Sequence, residues 1–139
     1  MNNKKVIEAQ VNTEDEVFEI YEMAKICTLD DSSIEIFVNS DDGGKIPHFH
    51  VWKKLGGRRH EWEVCIKFES AEYFTHGKYK GTVPTKIAKE IDKTLRQKDT
   101  KDKYGRTNWD IAIEEWNRNN SDVTLPDDLV QPDYTKLNK

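Results

Sequence analysis

Residues 60–69, His-Glu-Trp-Glu-Val-Cys-Ile-Lys-Phe-Glu, hold the longest polar/apolar alternation in the chain. Successive side chains on a strand point to opposite faces, so this run demands a half-buried β-strand. Trp62, Val64, Ile66 and Phe68 share one face, while Glu61, Glu63, Cys65, Lys67 and Glu69 share the other. Two shorter runs precede it, Ile-Glu-Ile-Phe-Val-Asn at 34–39 and His-Phe-His-Val-Trp-Lys at 48–53. Residues 40–47 are rich in turn formers, and 55–59 hold two glycines suited to a hairpin. Three strands in succession predict an antiparallel meander. Residues 70–83, with Tyr73, Phe74, His76 and Gly77, can add a short fourth strand.

Helices flank this sheet. Thr13 and Glu16 have capping-box spacing, and Val17, Ile20, Tyr21, Ala24 and Cys27 predict a helix over 14–27. Pro84 suits a first helical turn, and Ile87, Ile91 and Leu95 carry a helix to about 97. A lysine-rich connector follows at 98–106. Thr107 then caps a last helix with Trp109, Ala112, Ile113 and Trp116 as its apolar stripe. The predicted fold class is α+β: a small antiparallel sheet of three to four strands with helices packed on one face, the other face free to stay open to water. Residues 1–12 read as a polar leader and 13–117 as one domain. Residues 118–139 read as a polar C-terminal tail, ordered only if something ties it down.

Hydrophobic and charged residues each make up 35% of the 139 residues, which predicts a thin core built around large aromatics. No apolar run approaches the ~20 residues of a membrane span. No apolar stretch follows the N-terminal lysines as it would in a secretory signal. Cys27 and Cys65 then read as reduced thiols in the cytoplasm of a bacterial host cell. A net charge of −4 argues against general nucleic-acid binding. Locally basic stretches at 53–59 and 86–106 could still grip one anionic ligand.

The polar face carries the candidate site. If Phe49 and Val51 point to the core, His48, His50 and Trp52 point away from it. Pairing core face with core face places His50 beside Phe37 and His48 beside Asn39 in the first hairpin. In the second it places His50 near Glu63 and His48 near Cys65. The candidate ligand-binding residues are therefore His48, His50, Trp52, Asn39 and Glu63, with Lys53, Arg58 and Arg59 in the adjoining loop. No cofactor and no catalytic residue is assigned. Were a metal bound, zinc would take His48, His50 and Glu63, with Cys65 as the alternative third ligand. A histidine could also act as a general base beside Glu63, or serve only to fix the preceding loop. His76 borders this face if a fourth strand forms. Asp41-Asp42-Gly43-Gly44 reads as a turn, because Pro47 and Phe49 occupy later positions of a calcium loop.

The Pro-His-Phe-His-Val sequence at 47–51, after an acidic loop, is followed by a last helix bearing Asn108-Trp109. Over about residues 34–117 this resembles a family of small bacterial and phage domains of unknown function, found near toxin–antitoxin-type genes and on mobile elements. The marked positions would be Pro47, His48, Phe49, His50, Val51, Asn108 and Trp109. The extra N-terminal helix, the longer hairpin with its loop at 53–59, and the C-terminal tail depart from that pattern.

The resemblance implies a phage or mobile-element accessory protein without a defined mechanism. Three functions follow as expectations. The first is a non-catalytic protein that recognises a protein partner or a small nucleotide-like anion through the His/Trp face, to counter host defence. The second is a metal-dependent hydrolase or nuclease using His48 and His50. The third is an antitoxin-like regulator.

Overall fold

In a computed structural model of the chain, residues 23–39, 46–56 and 59–139 are described. Four strands form one antiparallel sheet in chain order: β1 (Met23–Thr28), β2 (Ile34–Asn39), β3 (His48–Gly56) and β4 (Arg59–Lys67). Two helices follow, α1 (Thr85–Arg96) and α2 (Asn108–Asn119), and then a 3-10 turn at Tyr134–Lys136. The expected α+β meander is the architecture adopted.

The register follows the alternation. Phe49 pairs with Ile66, Val51 with Val64, and Ile36 with Val51. These side chains are at most 2% exposed, and they join Ile87, Ile91 and Leu95 of α1 and Trp109, Ile113 and Trp116 of α2 in one apolar core. Burying each large side chain contributes roughly 1.5–3 kcal/mol. Trp62 is only partly buried against this core, because β3 bulges opposite it at Lys53 and Lys54.

The first hairpin has the expected register, with His50 facing Phe37. The second is two residues off: His50 faces Cys65 and His48 faces Lys67. At the hairpin end Gly56 pairs with Arg59. A two-residue slip leaves every side chain on its own face.

Three expectations need correction. Residues 23–28 form a strand, not the end of a helix, while the rest of the expected helix and the Asp41–Asp42 turn lie outside the described residues. A bulge between Lys25 and Cys27 explains the misleading pattern. It puts Ala24 opposite Val38 and Cys27 opposite Ile36, so residues three apart share the core face, a spacing that mimics a helix. Second, residues 70–83 form no continuous strand. Tyr73 bridges to Ile66, and His76 bridges to Tyr79 around Gly77, which sits at φ +53°. Third, the polar sheet face is not open: His48, His50 and Trp52 are 0%, 1% and 5% exposed.

The C-terminal segment is tied down. Leu125, Tyr134 and Leu137 join the apolar core. The Tyr134 hydroxyl donates to the carbonyls of Lys67 (2.7 Å) and Phe68 (3.2 Å) at the end of β4. Indole N–H groups of Trp109 and Trp116 donate to the carbonyls of Leu129 and Val123. Thr107 caps α2 in a reciprocal box with Asp110, and the Asn108 amide donates to the Thr94 carbonyl of α1. The Asn-Trp pair is thus a structural joint. No described helix is long and apolar enough to cross a membrane.

Candidate metal centre on the polar sheet face

The polar face is built by the residues that alternate with the apolar core. β2 supplies Glu35, Phe37 and Asn39, β3 supplies His48, His50 and Trp52, and β4 supplies Glu63 and Cys65. Residues 74–79 bring Phe74, His76 and Tyr79 against the same face. The His48 ring lies 4.7 Å from Phe74 and 5.6 Å from His76, and the His50 ring lies 5.4 Å from Tyr79.

At its centre, ligand atoms of His48, Cys65 and His76 all lie within 4.8 Å of one another. His48 Nδ1 donates to the Ile46 carbonyl at 2.8 Å. That bond fixes the ring and makes Nε2 the nitrogen bearing the lone pair, the arrangement typical of a metal-ligating histidine. His76 is oriented by stacking on Phe74 at 4.2 Å and by its paired backbone bonds with Tyr79.

His50 sits beside this triad with a different set of contacts. Its Nδ1 is 2.8 Å from Glu63 Oε2, and its Nε2 is 3.3 Å from the Asn39 amide nitrogen. Cys65 Sγ is 3.4 Å from Nδ1 and 3.8 Å from Nε2. A sulfur nearly equidistant from both ring nitrogens lies over the ring, not in line with either lone pair. That geometry fails the in-line hydrogen bond a cysteine nucleophile needs from its base. Burial works to raise the Glu63 carboxyl, but hydrogen bonds and charge from His50 and His60 outweigh it and hold the pKa at about 2.

Toward the second hairpin the face becomes aromatic. Trp52 lies between Phe37 (3.9 Å) and His60 (4.0 Å), and its indole N–H donates to Glu35 at 3.1 Å. Burial works against the Glu35 carboxylate, but Trp52, Lys25 and Lys54 together hold it below its usual range.

Of the predicted site residues, the structure gathers His48, His50, Trp52, Asn39 and Glu63 on one face. Lys53 and Arg59 stand apart at the hairpin end, where Lys53 reaches Glu61 at 3.7 Å; Arg58 lies outside the described residues. The compact triad differs from the expected His48, His50 and Glu63 set: Cys65 and His76 take the places of His50 and Glu63, which bond to each other. Phe74, Tyr79 and Glu35 were not anticipated at the site. The sequence signal for Phe74 was the expected short strand within 70–83, and nothing in the sequence pointed to Tyr79. Comparison of the chain with family models, curated proteins and solved structures returned no match, leaving the site's geometry to carry the functional reading.

Proposed function

We propose that this chain is a metal-binding protein that holds one zinc-class divalent ion between His48, Cys65 and His76. The observation that carries this reading is the convergence of two imidazoles and a thiol, all within 4.8 Å, with His48 and Cys65 buried and His76 half-buried. Thiolate and imidazole together suit zinc, and bonds of 2.0–2.3 Å in a tetrahedral shell set ligand atoms about 3.3–3.8 Å apart. No pair of ligand atoms then has to close by more than about 1.5 Å. His50, tied to Glu63 and Asn39, packs over Cys65 as a positioning residue.

Three protein ligands leave the fourth position of a tetrahedral shell to water or a further side chain. His48 and Cys65 are 0% and 1% exposed and His76 is half-buried, which supports a structural ion over turnover. A protein or anionic partner would approach elsewhere, with Lys53 and Arg59 at the hairpin end as candidate cations, because buried His48, His50 and Trp52 cannot meet it directly.

The test is metal analysis of untagged protein, with thermal melts before and after chelation. About one ion per chain is expected, with a midpoint that falls on chelation, and with both effects lost in Cys65→Ser and His76→Ala. Copper in place of zinc would keep the site and change the ion. Protein that takes up neither ion and melts unchanged with either would overturn the proposal.

A further inference from the structure

Two of the three proposed ligands, His48 and Cys65, stand on neighbouring strands of the sheet. The third, His76, stands on an irregular segment whose only strand-like links are the Ile66–Tyr73 and His76–Tyr79 bridges. Backbone bonds from the Phe74 N–H to the Cys65 carbonyl and from the Lys67 N–H to the Glu72 carbonyl, 2.9 Å each, tie its start to β4, and the C-terminal end of the chain joins its two ends. The Asn138 side-chain Oδ1 accepts from the Tyr73 hydroxyl at 2.8 Å, and its Nδ2 donates to the Val83 carbonyl at 2.8 Å. The Tyr73 hydroxyl in turn accepts from the Val83 backbone N–H at 2.9 Å. Tyr73 and Val83 are the two ends of the segment that carries Phe74, His76 and Tyr79, so a single asparagine side chain closes its base.

Asn138 is itself placed by the strap that precedes it. Gln131 donates to the carbonyl and carboxylate of Asp92 on α1, and the Tyr134 N–H donates to the same carboxylate at 2.9 Å. Tyr134 is fully buried, and Leu137, next to Asn138, is 6% exposed. The strap is therefore anchored to α1 and to β4 before it reaches Tyr73 and Val83.

We infer that residues 131–138 act as a clamp on the metal centre: Asn138 closes the His76 segment and so sets whether the third ligand is delivered. This rests on the metal-binding reading above. Asn138 is a positioning residue, since it touches neither ligand nor ion. Its loss acts at one remove from that of partners bonded directly to a ligand, which typically weakens metal binding 10–100-fold.

Asn138→Ala in the full chain tests this, with Tyr73→Phe as a second variant that removes both the donor to Asn138 and the acceptor for the Val83 N–H. Far-UV circular dichroism checks that both stay folded. Two quantities are read: cobalt(II) affinity by competition, and amide hydrogen exchange of residues 73–83 in metal-free protein. The clamp predicts about tenfold weaker cobalt(II) binding by Asn138→Ala and faster exchange across 73–83. Unchanged exchange in folded Asn138→Ala would overturn it. Faster exchange in the variant, with no cobalt(II) uptake by the wild type, would sustain the clamp and overturn the metal reading alone.

Discussion

On the helix-covered side of the sheet, β3 and β4 present Phe49, Val51, Val64 and Ile66; on the other side the same two strands present His48, His50, Trp52 and Cys65. All eight are at most 5% exposed. The first set needs only volume, since apolar burial is non-directional and rewards any good fit. The second carries ring nitrogens and a thiol whose burial costs free energy unless each finds a partner. Its members meet in fixed directions: His48 on a carbonyl, His50 on Glu63, Trp52 on Glu35. A buried face built that way constrains orientation, which an apolar core does not require. The thiols show the same division. Burial, with some help from Asp99, pushes Cys27 on the apolar side up to about 12, which leaves it a protonated, inert thiol at neutral pH. Cys65 lies among imidazoles.

Neighbouring residues allow a direct contrast. Phe49→Ala and Trp109→Ala should each cost about 3–5 kcal/mol in a denaturant melt, because each empties a packed aromatic site. An unchanged midpoint for both would mean that the helix-covered face is not the principal core.

Acid should act on the polar face through Glu63. The Glu63 carboxyl sits at about 2 in the folded chain, below the ordinary 4.5. A depressed folded value means the stabilisation is fully present above about pH 4.5 and is lost as pH falls toward 2. The full effect is roughly 3 kcal/mol, and Glu63→Gln should flatten that stretch of the stability profile. Wild type and variant with equal acid slopes would remove the Glu63–His50 pair from the account.

The smallest effect belongs to the hairpin end. Leu55 is 54% exposed, so Leu55→Lys should shift stability by less than about 0.5 kcal/mol and leave metal content unchanged. A large loss of stability would show that this loop packs on something.

The face assignment was legible because it depends only on side-chain alternation, which survives a two-residue error in register. The helices at 85–96 and 108–119 were legible from Ile87, Ile91 and Leu95 and from Thr107 with Trp109 and Trp116. β1 was not, because its bulge at Ile26 replaced period two with a spacing of three. The burial of His48 and His50 was not legible either. It depends on an irregular segment that carries Phe74, His76 and Tyr79 and has no periodicity of its own. The strap was hidden in a polar stretch whose anchors, Tyr134, Leu137 and Asn138, act over long sequence separations. The triad was partly readable: Cys65 shared a face with His48, and His76 depended on a strand that proves to be two isolated bridges.

Cobalt(II) reconstitution tests the central claim most directly, because it reports ligand type as well as occupancy. Metal-free protein given one equivalent of cobalt(II) should develop visible bands of a tetrahedral ion and a near-ultraviolet thiolate charge-transfer band. Cys65→Ser should lose the charge-transfer band while keeping its fold, and His76→Ala should bind far more weakly. A folded wild type that develops neither feature, or a charge-transfer band that persists in Cys65→Ser, would contradict a centre built from His48, Cys65 and His76.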